Sequence, residues 1–80
     1  MATTNKNLIK KGERILSDLL IEAENPTSEN PFTKKVNGFE FIISRASCSD
    51  GCSMQPEVVQ GPDGQKQVKY FCKRPDGSYC

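Results

Sequence analysis

The residues of this chain best equipped for chemistry are its cysteines. Cys48, Cys52, Cys72 and Cys80 are the whole complement among 80 residues, and no histidine accompanies them. They form two close pairs, Cys48-Ser-Asp-Gly-Cys52 and Cys72-Lys-Arg-Pro-Asp-Gly-Ser-Tyr-Cys80, separated by a strand-like stretch. Four thiolates can hold one Zn²⁺ tetrahedrally; two disulfides can close the same segments. Either would act as a staple. A domain this short buries a limited share of its surface, so its core alone supplies little net stability. Only 35% of the residues are hydrophobic and none is Trp, which sharpens that need.

Two local cysteine pairs joined by β structure is a layout similar in plan to a zinc ribbon. The resemblance implies a structural zinc site with Cys48, Cys52, Cys72 and Cys80 as ligands, all-thiolate unless Asp50 or Asp76 substitutes. Three residues separate the first pair, where the usual knuckle has two, and seven separate the second. The competing reading is two disulfides, for which four cysteines allow three pairings. The local pairing closes two short loops. The crossed pairings, such as Cys48–Cys72 with Cys52–Cys80, tie strands together and stabilise more under the loop-entropy argument. Free or redox-active thiols, or an iron–sulfur cluster, form a third reading. Compartment ranks these. The N-terminal apolar residues are interrupted by Lys10, Lys11, Glu13 and Arg14, which is not a signal-peptide core. A cytoplasmic location is therefore expected, where thiols stay reduced, and zinc stands ahead of disulfides.

Catalysis is not expected. General acid–base chemistry leans first on histidine. Glu40, Glu57, Asp63 and Asp76 are scattered, and the serines around the first cysteine pair have no base beside them. Asp50 beside the first pair gives no reason for a depressed thiol pKa. No nucleophile elbow, P-loop or dinucleotide fingerprint is present.

Three segments must position the cysteines. Residues 1–25 carry an amphipathic helix: Leu8, Ile9, Gly12, Ile15, Leu16, Leu19, Leu20 and Ala23 share one face over residues 5–24. Thr4 or Asn5 can cap its start, and Asn25-Pro26 stops it. Lys6, Lys10 and Lys11 near its start, with Glu22 and Glu24 near its end, oppose the helix dipole. The helix therefore needs packing to persist. Residues 26–35, with two prolines and several small polar residues, read as a linker loop. Residues 36–80 read as a small three- to four-stranded antiparallel sheet. Phe39, Phe41 and Ile43 face one way, and Glu40 and Ile42 the other. A hairpin beginning at Glu57 turns at Gly61-Pro-Asp-Gly64 and returns from Gln67 to Lys73. There Val68, Tyr70 and Cys72 share one face, and Lys69, Phe71 and Lys73 the other. A second Pro-Asp-Gly turn, at residues 75–77, doubles the chain back to Tyr79 and Cys80. The expected fold class is α+β.

Net charge is +1, which is not the footprint of a general nucleic-acid binder or a membrane-surface protein. No run approaches a membrane span. The expectation is a small binding or regulatory protein, such as an inhibitor, that engages a protein partner. Ile21, off the apolar helix stripe, and Lys69, Phe71, Lys73 and Arg74 on the basic-aromatic strand are the candidate contact residues. That strand, with Lys66 and Tyr70, can also stack bases and hold phosphates, so a nucleic-acid partner is the alternative. A third is a disulfide-rich secreted peptide whose helix is a leader. Ile9, Gly12, Leu16, Leu19 and Ala23 also fit a short heptad seam, so the chain is expected to be a monomer or a weak dimer through the helix.

Overall fold

The computed structural model describes residues 5–80. Thr4, one of the two expected helix caps, lies outside the described residues. Helix α1 spans Asn5–Glu22 and is followed by four strands: β1 Phe32–Val36, β2 Phe39–Ile43, β3 Ser53–Gln60 and β4 Lys66–Lys73. The α+β expectation holds.

The apolar stripe of α1 becomes its buried face, with Leu8, Gly12 and Leu19 fully covered. The helix stops where the sequence changes. Asn25 adopts a positive φ of 46°, a backbone state in which asparagine commonly closes helices, and Pro26 follows. Glu22 sits at the dipole's negative end, and Lys34 of β1 pairs with it at 2.5 Å. The sheet thus supplies the cation that the last helical turn lacks.

Strand β1 was not expected. Residues 32–35 belong to the predicted linker, yet they pair antiparallel with β2 from Phe32↔Ile43 to Val36↔Phe39. The intervening Asn37-Gly38 has φ values of 53° and 85°. Two positive φ values in a two-residue loop match the right-handed twist of the flanking strands, and Asn-Gly is the pair that tolerates them best.

The sheet order is β1-β2-β4-β3. The expected all-antiparallel sheet is therefore corrected: β2 and β4 run parallel, in the register Glu40↔Gln67, Phe41↔Val68 and Ile42↔Lys69. The cause lies in residues 44–52, which do not fold back as a hairpin. They carry the chain past the end of β4, so that β3 lies on its far side. The β3–β4 hairpin then forms as expected around Gly61–Gln65, with Gly61 N–H donating to the Gln65 carbonyl at 2.7 Å. Strand β3 begins at Ser53 rather than Glu57, running through Pro56. A proline is tolerated there because β3 is an edge strand with one side free of ladder bonds.

The helix lies on one face of this sheet, over β3 and β4. Phe41, Ile43, Val68 and Tyr70 point towards it and join Leu8 and Leu19 in one core. Its closest approach is at Gly12. A Cβ at that position would stand 2.8 Å from Pro56 Cβ, so only glycine lets the helix sit this low. Tyr70 Oη uses the proximity and donates to the Gly12 carbonyl at 2.6 Å. The helix thus packs as part of the folded unit, and its seam positions Gly12 and Leu19 are covered by the chain's own sheet.

Candidate functional site

The four cysteines converge at the end of the sheet where β4 stops. Cys48 in the crossover bonds Cys72 in β4, with Cα atoms 5.7 Å apart. Cys52, at the end of the crossover, bonds Cys80, with Cα atoms 6.7 Å apart. The turn that brings Cys52 round has its N–H donating to the Ser49 carbonyl at 3.0 Å, with Gly51 at a φ of 82°. This is one of the crossed pairings. Each bond fastens the crossover to something beyond it: the first to β4, the second to the C-terminal tail.

This arrangement overturns the zinc site expected on Cys48, Cys52, Cys72 and Cys80. The four sulfurs are joined in two pairs, and no free cysteine remains. A disulfide sulfur lacks the thiolate charge that binds Zn²⁺. Among the described residues, no cluster of three or more His, Cys, Asp or Glu is placed to hold a metal ion. The zinc-binding and metal-binding readings are withdrawn with it. So is the cytoplasmic location that favoured them, because two structural disulfides form and persist in oxidising compartments, not in the reducing cytosol.

The same bonds organise the sheet face opposite the helix. After Lys73 the chain turns through Pro75-Asp76-Gly77, closed by Gly77 N–H donating to the Arg74 carbonyl at 2.9 Å. Asp76 accepts from the Ser78 N–H at 2.9 Å and the Ser78 hydroxyl at 2.7 Å. These bonds favour the ionised carboxyl and hold it below its ordinary range. The tail then pairs with β4 through a Lys73↔Tyr79 bridge. Cys80 N–H donates to the Cys72 carbonyl at 3.1 Å.

Tyr79 is thereby laid across the outer face. Its ring meets Phe71 edge-on at 5.7 Å between centroids. Lys73 Nζ stands 5.0 Å from the same ring centre. The Tyr79 hydroxyl reaches Glu57 of β3, with its carboxylate oxygens at 2.7 and 2.9 Å. A phenol donating to a carboxylate resists ionisation, so its pKa is raised. Glu57 also pairs with Lys73 at 3.2 Å.

The predicted contact residues therefore fall into different settings. Lys69, Phe71 and Lys73 share the outer face as expected, but Lys73 is committed to Glu57 and Tyr79. Arg74 lies beyond the strand and donates to the Tyr79 carbonyl at 2.9 Å. Ile21 stands on the helix, 81% exposed and on the other side of the sheet. Tyr79, Glu57 and Arg45 are not among the contact residues expected from the sequence. A signal for Tyr79 was available: a tight Pro-Asp-Gly turn places the residues on its two flanks side by side, so a residue just after it must meet the end of β4.

Two concavities meet beside this face, the first lined also by Tyr70 and Cys72, whose pleat faces the helix. One, of about 510 Å³, lies among the 26–28 segment, Ser44 and Arg45, the 69–72 stretch of β4, and Tyr79 with Cys80. The other, of about 670 Å³, extends across Ile42 and Val59 to Gly61 and Pro62. They share Ser28, Ser44, Lys69 and Phe71, and so form one groove.

The fold and the sulfur pairing together define a small disulfide-stapled α+β protein. No protein-family model matches the chain, and no curated protein or solved structure shows significant similarity to it.

Proposed function

We propose that this is a disulfide-rich protein of an oxidising, extracytoplasmic environment that acts by binding a protein partner, without catalysis, through its outer sheet face. The observation that carries the reading is the pairing Cys48–Cys72 and Cys52–Cys80. Both bonds are long-range in sequence, with separations of 24 and 28 residues. Each is worth about 3.5 kcal/mol under the loop-entropy model, a large share of the stability of so small a domain. A chain that depends on such bonds has to work where they persist.

The outer face supports the binding role. It is concave, it carries the partly exposed rings of Phe71 and Tyr79, and its walls are built from segments that the disulfides hold in place. Aromatic side chains with one wet face are the usual anchors of protein contacts.

The test is chemical. Protein isolated natively, with thiols blocked at lysis, should show a mass deficit of two hydrogens per disulfide. Proteolysis without reduction should release linked fragments carrying Cys48 with Cys72 and Cys52 with Cys80. Recovery of all four cysteines as blockable thiols would overturn the reading.

A further inference from the structure

Within the groove, charge is distributed unevenly. The concavity bounded by Arg45 and Lys69 has no Asp or Glu among its lining residues. Its other polar lining residues include Thr27, Ser28, Ser44 and Tyr79. Lys69 stands directly across from Glu57 in the β3–β4 register, the carboxylate that would ordinarily neutralise it. Glu57, however, is occupied by Lys73 and by the Tyr79 hydroxyl. Arg45 makes one weak contact, from Nη1 to Cys72 Sγ at 3.7 Å. Among the described residues, neither cation has a carboxylate within ion-pair distance. The continuation of the groove over Ile42, Val59 and Pro62 is by contrast apolar in character.

We propose that this groove is a peptide-binding site, and that its occupant is a segment of a partner protein carrying a carboxylate beside an apolar side chain. The carboxylate sits between Arg45 and Lys69, within reach of the Ser28 and Ser44 hydroxyls. The apolar neighbour lies along Ile42 and Val59, with Phe71 between the two. Complementary charge selects the acidic residue; desolvation of the apolar floor adds to the affinity. Each of the two concavities by itself falls in the range of about 300 to 1,000 Å³ common for ligand sites, one for the carboxylate and one for its apolar neighbour. The inference rests on the binding role proposed above and adds the chemistry of what is bound. It also ties binding to oxidation: Cys72, Tyr79 and Cys80 line the carboxylate end, so the wall there stands only while both disulfides hold the crossover and tail.

The experiment uses the oxidised full chain and fluorescently labelled synthetic peptides of alternating Glu and Leu, read by anisotropy. Binding is expected for the Glu–Leu peptide, weakening as salt is raised. Replacing Glu by Gln in the peptide should abolish most of it. Arg45→Gln and Lys69→Gln should each weaken it about five-fold, the scale of one partly exposed ion pair. Both variants should unfold at the parent temperature, because neither side chain holds another element in place. Reduction of the chain should remove the binding. Equal binding of the Gln–Leu peptide, or tighter binding of a single-stranded oligonucleotide than of the Glu–Leu peptide, would overturn the proposal. The thiol count is read separately. A chain with both disulfides intact that ignores every peptide therefore overturns the groove assignment and leaves the stapled, extracytoplasmic reading standing.

Discussion

Gly12 and Tyr70 show how single residues set the distance between layers. Glycine inside a helix is intrinsically worse than alanine by about 1 kcal/mol. Here the sign reverses, because an added methyl would meet the rigid Pro56 ring at 2.8 Å. Gly12→Ala should therefore destabilise the protein by about 1–2 kcal/mol, as overpacking outweighs helix propensity, and urea unfolding measures the difference. Tyr70→Phe keeps the packing and removes the bond to the Gly12 carbonyl; it should cost about 1 kcal/mol. Burial pushes the Tyr70 phenol from its ordinary 10.0 up to about 12. A group whose folded pKa is raised stabilises the fold fully below its unfolded pKa, and that contribution is lost as pH rises through the folded value. Stability should thus fall between pH 10 and about 12 as tyrosinate absorbance rises, and Tyr70→Phe should flatten that fall. Asp76 works in the opposite direction. Its lowered pKa means that the tail turn is firm above the ordinary carboxyl range and loosens as pH drops through the folded value.

At the level of elements, periodicity located the helix, β2 and β4 correctly, because each buries one face and its apolar spacing reports that face. The pleat assignments held as well: Phe41 and Ile43 face the helix, and Lys69 and Phe71 face away. Strand β1 was missed although its marker was in plain view. Phe32-Thr-Lys-Lys-Val36 ahead of Asn37-Gly38 is a hairpin signature, but Pro26, Pro31, the two asparagines and the small hydroxyl residues weight the segment towards loop. The parallel pairing of β2 with β4 was not legible in the same way. A strand's own residues report which face is buried, not which neighbour it hydrogen-bonds. The choice is made by the crossover, whose Ser-Arg-Ala-Ser-Cys-Ser-Asp-Gly-Cys composition offers almost no apolar surface to hold it against β4. The disulfides hold it instead. Paired Cys48→Ser and Cys72→Ser substitutions should cost about 3.5 kcal/mol in denaturant unfolding. They should also speed amide exchange in β4 more than paired Cys52→Ser and Cys80→Ser substitutions do, because Cys72 lies within the strand and Cys80 beyond it.

For the molecule as a whole, the sulfurs and the core are two halves of one design. The Cα radius of gyration is 12.3 Å, and the core is shared between Leu8 and Leu19 of the helix and four side chains of β2 and β4. No part of the chain owns it. Removing residues 1–24 should leave Phe41, Ile43, Val68 and Tyr70 uncovered, and the remainder should bind a hydrophobic dye and lose cooperative unfolding even with both disulfides formed. Conversely, reduction of the intact chain should lower the unfolding temperature by tens of degrees, since a 1 kcal/mol loss shifts a domain of this size by about 4–8 °C. The identity of the staple was the least legible property at this scale. Cysteine count and spacing suit both metal and disulfide, and the compartment argument tipped the sequence reading towards the wrong one. The pairing geometry decides, since Cys48 meets Cys72 and Cys52 meets Cys80 without all four sulfurs sharing a centre.

The strand order β1-β2-β4-β3 carries a consequence for timing. Strand β4 is synthesised after the other three strands and yet is central, bridging β2 to β3. Both disulfides also draw a cysteine from this final stretch, Cys72 in one and Cys80 in the other. Until it emerges, the helix has no Tyr70 to dock on, the crossover has nothing to be fastened to, and only the small β1–β2 hairpin can form. The sheet and both disulfides can therefore close only once residues 66–80 have been made.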